Sequence, residues 1–444
     1  LQWSPSALSR VSFTGSGSLP SAFRVTDLAV GSVGAAALAI SELVGTCEDR
    51  AAPRVVVDRR LASLWFGSSI VPVGWALPAP WDAIAGDYPT VDGWIRLHTN
   101  APHHRAAALR ALACADDRVS VAAAVARWRA DELEAAVLAA DGCAAAMRSV
   151  AGWDAHPQGI AVAAEPSIDI ASTVPTDAVA WQPCQPRPLG GLKVLDLTRV
   201  LAGPVATRFL AGYGADVLRI DPPDWDEPGV VPDVTLGKRC ARLDLTGAED
   251  RKTFERLLAE ADVLVHGYRP GALDGLGYDA PQRRVLNPAL IDVSLDAYGW
   301  TGPWHDRRGF DSLVQMSSGI AAAGMAWKHA DRPTPLPVQA LDHATGYLVA
   351  AAVVSGVTRR LADRQATTAR LSLARVARLL VDAGRQDDAP NWSACSEDDL
   401  SPVLEDTDWG LAKRVVAPVA VEGVPMSWCR GAARLGSSIP RWDL

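Results

Sequence analysis

Residues 191–221 read GLKVLDLTRVLAGPVATRFLAGYGADVLRID, and their pattern decides the fold. LKVLDL (192–197) and ADVLRI (215–220) are apolar runs of strand length. Between them, PVATRFLAGYG (204–214) carries helical spacing, with Pro204 placed as the first helical residue. Further out, TGAEDRKTFERLLAEA (246–261) predicts a helix with a Thr cap and an acidic first turn. DVLVH (262–266) and ALIDVSL (289–295) predict two more strands. Strands alternating with helices predict a doubly wound, mostly parallel Rossmann-like α/β sheet.

Upstream the rhythm differs. Residues 1–20 are rich in Ser, Gly and Pro and read as an exposed lead-in, followed by an Ala-rich helix from about Asp27 to Leu43. The apolar run 28–44 is interrupted by Ser32, Ser41 and Glu42, so a buried helix is expected rather than a membrane span. DGWIRLH (92–98) alternates like a strand, APHHRAAALRALA reads as a helix, and ADELEAAVLAADGCAAAMRS reads as a second helix opening near Asp131. The expected division is a lead-in and linking helix over 1–74, a smaller α+β domain over 75–172 and a Pro-rich linker over 173–189. The Rossmann-like domain then covers 190–365, and a helix with a mostly irregular tail covers 366–444. A long helix starting at Asp342 joins the parts.

One segment occurs twice. FRVTDLAVGSVGAAALAISEL (23–43) matches VQALDHATGYLVAAAVVSGVT (338–358), placing Asp27 on Asp342 and Gly31 on Gly346. At nearly the same offset, RVVVDRRLASL (54–64) matches RLSLARVARLL (370–380), which favours duplication over shared composition.

Composition excludes some classes. A net charge of −8 over 444 residues argues against a broad nucleic-acid or anionic-membrane surface. Seven dispersed cysteines without a CxxC pair suit free thiols in a reducing, cytoplasmic setting rather than a disulfide framework or a zinc site. No basic stretch with a following apolar core marks a signal peptide.

Several residues can carry chemistry. Asp221 ends the second strand as an acid does in dinucleotide sites, but the turn 198–204 lacks G-x-G-x-x-G, which counts against an NAD enzyme. Arg199, Lys238, Arg239, Arg269, Arg307 and Arg308 fall in expected loops after strands, where α/β sheets bind ligands and where solvated surface is the default. The loop HGYRPGALDGLGYD (266–279) can bring Tyr268 to a flat ligand, or be an ordinary connection. Asp342 reads equally as a helix N-cap and as a carboxylate kept anionic by the helix end, able to attack an activated acyl group.

The segments GLKVLDLTRVLAGPVATRFLAGYGADVLRID, GKRCARLDL, VHGYRPGALDGLGYD, LNPALIDVSLDAYGWTGPWHDRRGFDSLVQMSSG and LDHATG, in that order, resemble the class III CoA-transferases, the CaiB/BaiF family. GDYPTVDGWIRLHTN and HHRAAALRALA resemble the family's smaller domain, and VEGVPMSWCRGAARLGSSIP its ending, although here the small domain precedes the sheet domain. The resemblance implies CoA and acyl-CoA as substrates with no tightly bound cofactor, a small carboxylic acid as CoA acceptor, and a homodimer, interlocked in the family. It implies Asp342 as catalytic nucleophile. Val200, Leu201, Ala202, Lys238, Gly267, Tyr268, Arg269 and Arg308 are implied around CoA. The racemase branch carries His in a G-H-D motif where this chain has Phe310 before Asp311, so two-base racemisation is disfavoured. The competing expectation is a catalytically degenerate member that binds CoA or a partner without turnover.

Overall fold

The computed structural model describes residues 3–48, 51–176, 181–183, 186–386 and 391–442. Its centre is a seven-stranded sheet of β1 (Asp169–Pro175), β2 (Lys193–Leu197), β3 (Asp216–Asp221), β4 (Lys238–Arg242), β5 (Val263–His266), β6 (Ile291–Asp296) and β7 (Gln365–Ser372). The order is β4-β3-β2-β5-β6-β7-β1. The six strands β2 to β7 are parallel, and β1 pairs antiparallel with β7. That is the doubly wound topology, with its switch point between β2 and β5. The core strands are apolar on both faces because helices cover both: β5 (VLVH) is buried throughout.

Helices α1 (Val25–Glu48), α2 (Ala202–Gly212), α3 (Asp311–Ser317) and α4 (Ala340–Asp363) position the site. Helix α2 is buried along its whole length between the sheet and α4. A Cβ on Gly346 would stand 2.4 Å from the Ala202 carbonyl oxygen and 2.9 Å from Val205 Cβ, so only glycine lets α4 approach α2 this closely. Helices α1 and α4 pack on each other. Both are long and apolar enough by composition to cross a membrane, yet 72% and 89% of their apolar windows are buried within the chain.

The repeated segments fold alike: each long helix is followed by a strand and a helix, Val55–Asp58 with Arg59–Trp65 and β7 with Leu373–Asp382. The surroundings differ. Gly31, opposite number of Gly346, has no neighbour within 4 Å.

Several expectations need correction. The sheet reaches beyond 190–365, because β7 ends at Ser372 and β1 lies upstream. β1 also takes the start of the expected linker 173–189. Residues 177–180 and 184–185, Cys184 among them, lie outside the described residues. The expected helix opening near Asp131 is Ala130–Ala139 only; after Gly142 the chain becomes strand Ala144–Ala146, paired with Trp94–Leu97. The lead-in holds strand Val11–Thr14, paired with Val55–Asp58. The tail is not irregular: Leu400–Thr407 and Gly410–Val415 pair with each other, the latter also with Ile70–Pro72, and Val419–Val421 pairs with Val55–Asp58. Two of these pairings, Gly410–Val415 with Ile70–Pro72 and Val419–Val421 with Val55–Asp58, join segments at opposite ends of the chain, which no local window reveals.

Candidate active site

A cleft of about 420 Å³ opens at the carboxyl ends of the parallel strands, across the β2–β5 switch point. This is where doubly wound sheets bind ligands. Leu197 and Thr198 follow from β2, Gly267 to Arg269 from β5, and Leu295 and Asp296 end β6. His103 and His104 of the smaller unit, at the start of helix Pro102–Leu112, complete the wall.

The loop after β2 is held in a strained form. Val200 has φ of 62°, a left-handed value that a β-branched residue rarely adopts. Its N–H donates to Glu227 Oε2 at 2.8 Å, and Glu227 is anchored by Arg219 and by Trp225 Nε1. Gly203 closes the loop: a Cβ there would lie 2.2 Å from Thr198 Cβ. The helix begins at Ala202, so Pro204 is its third residue rather than its first, still within the turn whose N–H groups have no intrahelical partner. Arg199 lies between Trp225 and Tyr268, 4.8 and 5.1 Å from the ring centres, and donates to the Tyr268 hydroxyl at 3.0 Å. Such stacking holds a cation at the cleft without a carboxylate partner.

Asp342 is the buried carboxyl of the cleft, 8% exposed. It is not the N-cap. Helix α4 starts at Ala340, so Asp342 stands in its first turn. The capping role belongs to Asp311, whose Oδ2 accepts the N–H groups of Leu341 at 2.8 Å and Asp342 at 2.9 Å. Gln315 Nε2 donates to Asp311 Oδ1. Burial pushes Asp311 up to about 6, against these donors. Burial, and then the charge of Asp311, push Asp342 well above the ordinary carboxylate range. Asp311 has the donors, so of the two it ionises more readily, and Asp342 keeps its proton to higher pH. The expectation that the helix end keeps Asp342 anionic is therefore corrected: its neighbour takes those N–H groups.

Val200, Leu201, Ala202, Gly267, Tyr268, Arg269, Arg308 and Asp342 all line this one cleft. Lys238 does not. It begins β4, and its Nζ is buried against Asp196 Oδ2 at 3.0 Å and the Pro204 carbonyl at 2.9 Å. Asp196 also accepts from Thr198 and Thr207, so the pair braces the β2 loop from behind. Lys238→Met is expected to destabilise the fold by about 2–3 kcal/mol in denaturant unfolding. This is less than the full cost of an orphaned buried charge, because Asp196 keeps its hydroxyl donors. Asp221, the acid that suits a dinucleotide, is fully buried and bonded to Arg219 at 2.8 Å. Asp27 lies on the surface, paired with Arg59 at 2.9 Å. No group of metal-ligating side chains occurs among the described residues.

Other cleft residues had no clear signal in the sequence. Phe310 is stacked on His98 at 3.8 Å and meets His104 edge-on at 5.9 Å. Burial lowers His98 to about 3 and His104 to about 4, so both rings are neutral near pH 7. Asp296 lines the cleft with one oxygen bonded to the Gly299 N–H and the other buried without a partner; burial raises it well above its usual range. His98 and His104 lie in the segments GDYPTVDGWIRLHTN and HHRAAALRALA, and only the fold brings them to Phe310.

Part of the chain is similar to known proteins. The model of CoA-transferase family III matches residues 189–390. The acetyl-coenzyme A transferase nodX of Hypoxylon pulicicidum is 37% identical over 194 residues, which are 41% of this chain and 32% of that protein. The probable fatty acyl-CoA transferase Rv3272 of Mycobacterium tuberculosis is 34% identical over 188 residues, 39% of this chain and 47% of that one. The acetyl-CoA:oxalate CoA-transferase of Acetobacter aceti is 36% identical over 154 residues, 32% of this chain and 40% of that one. A crystal structure of Rv3272 aligns with TM-score 0.41 and 31% identity over 44% of this chain and 57% of that one. The chain thus spans about a third to a half of the length of these curated relatives. Residues 189–390, which carry strands β2 to β7 and most of the cleft lining, are thus similar to CoA-transferase family III.

Proposed function

We propose that the protein moves CoA from an acyl-CoA thioester to a carboxylic acid, with Asp342 as nucleophile. The observation that supports this most is the buried carboxyl of Asp342, in the first turn of α4, in a cleft that Arg199, Arg269 and Arg308 also line. In the proposed sequence the ionised Asp342 oxygen attacks the thioester carbonyl carbon. The C–S bond breaks, CoA leaves as thiolate, and an aspartyl–acyl anhydride remains. The thiolate attacks the Asp342 carbonyl of the anhydride, releasing the donor acid and forming an aspartyl-CoA thioester. The acceptor carboxylate attacks this thioester and again displaces the thiolate, which then takes the acceptor acyl group and frees Asp342.

The arginines would meet the phosphates of CoA, and Tyr268 with Arg199 would offer a flat face for its adenine. One chain closes the cleft from both the sheet and the smaller unit. Assembly as a homodimer and a cytoplasmic location belong to the same proposal, the latter fitting the free cysteines at 47, 114, 143, 240, 395 and 429. The competing reading, CoA binding without turnover, is favoured by the burial of Asp342 beside Asp311, which raises its carboxyl above the ordinary range and disfavours the nucleophilic, ionised form.

The test is formation of a new acyl-CoA from a donor thioester and an acceptor acid, followed by liquid chromatography. Exchange is expected, rising with pH as Asp342 ionises; CoA binding without exchange for any donor supports the competing reading. Arg269→Ala is expected to weaken CoA binding roughly threefold to tenfold by calorimetry, with the loss shrinking at high salt because this side chain is exposed.

A further inference from the structure

A second chamber, of about 220 Å³, shares Val200, Trp225 and Phe310 with the cleft. Phe310 precedes Asp311, and Asp311 holds the Asp342 N–H, so the chamber meets the cleft on the side of the nucleophile. Its wall is aromatic and aliphatic: Trp81, Ala101, Trp225, Pro228, Val230 and Phe310. No lysine or arginine is among the described residues that line it.

Most of its polar groups are already engaged, His98 Nδ1 being buried without a partner. Asp82 accepts from Thr99 at 2.6 Å and from Arg105. Asn100 donates to the Pro80 carbonyl at 2.8 Å and accepts the Asp82 N–H at 3.1 Å. Glu227 is occupied by Arg219, Trp225 and the Val200 N–H. His98 is stacked and neutral. The remaining acid, Asp226, is exposed. A second carboxylate on a ligand would thus find three acids in the lining and no lining cation, since Arg96 and Arg199 are stacked on Trp81 and Trp225 and Arg105 is paired with Asp82, whereas a ring would find aromatic faces. The main cleft has the opposite character, with its arginines.

We infer that this chamber receives the variable part of the acyl group, and that it selects a bulky, uncharged, ring-bearing acyl group over a short dicarboxylate. The inference rests on the proposed CoA-ester chemistry for its orientation, but binding alone tests it. The probes are acetyl-CoA, succinyl-CoA and phenylacetyl-CoA, titrated into the full chain by calorimetry. Phenylacetyl-CoA is expected to bind at least about tenfold more tightly than acetyl-CoA, the gain of burying one ring, and succinyl-CoA no more tightly than acetyl-CoA. Trp81→Ala removes an exposed wall residue, and Ala101→Leu fills the chamber. Each is expected to reduce the phenylacetyl-to-acetyl affinity ratio several-fold, with thermal unfolding confirming a folded chain. Tighter binding of succinyl-CoA, an unchanged ratio in both folded variants, or no binding of any CoA ester overturns the inference. Ring-selective binding without CoA exchange sinks the transferase reading and leaves the chamber assignment standing; exchange without ring selectivity does the reverse.

Discussion

Asp342→Asn is expected to abolish CoA exchange, by at least about 10³-fold, while leaving a folded protein. The amide is nearly isosteric, so α4 and the Asp311 cap to its N–H groups persist. It cannot form the anhydride. The same substitution is expected to stabilise the fold at neutral and alkaline pH. Burial and the Asp311 charge raise Asp342 in the folded chain. Between the unfolded value of about 3.9 and the raised folded value, the folded state binds more protons, so stability falls as pH rises. Asn has no proton to lose. The melting temperatures of the two proteins should coincide below about pH 3.9 and diverge progressively above it, with the variant higher. Strain of this kind at a reacting group is common where activity and stability compete.

The second large effect is structural. Asp233→Ala is expected to cost about 3–5 kcal/mol in denaturant unfolding. Asp233 Oδ1 accepts from Arg208 at 2.7 Å and Arg414 at 2.9 Å, and Ser69 donates to it as well. These come from three parts of the chain: Ser69 from the N-terminal third, Arg208 from α2, and Arg414 from a tail strand that is also bonded to Glu405. Without the carboxylate, two buried guanidinium groups face each other. Burial pushes Asp233 up, but the charges of Arg208 and Arg414 outweigh it and hold the carboxyl below its usual range. Its stabilisation is therefore present above the unfolded value near 3.9 and is lost as pH falls through the folded value. Acid unfolding of the wild type below pH 4 should be steeper than that of the variant. A change under 1 kcal/mol would mean the network does not tie these parts together.

The legibility of this fold follows contact range. LKVLDL and ADVLRI were readable because each is apolar, short and bounded by a helix that packs beside it. KRCAR and QATTARLS are also strands of this sheet, but their Lys, Arg, Thr and Gln hide the pattern; Lys238 and Arg239 are buried by salt bridges that no local window reveals. The cleft was legible where its lining residues follow strands, at 200–202 and 267–269. Lys238 misled because it begins its strand instead of following one. Asp342 was found, but its electrostatics were not: the neighbour Asp311 is 31 positions away in sequence and competes for the same N–H groups.

The central claim is the covalent role of Asp342. It is tested most directly by incubating the protein with acyl-CoA donors, trapping with hydroxylamine and mapping the modified peptide by mass spectrometry. A hydroxamate on Asp342, absent in Asp342→Asn and absent from Asp311 and Asp296, is the expected result. CoA exchange proceeding with no modification of Asp342, or with the adduct on another carboxyl, would contradict it.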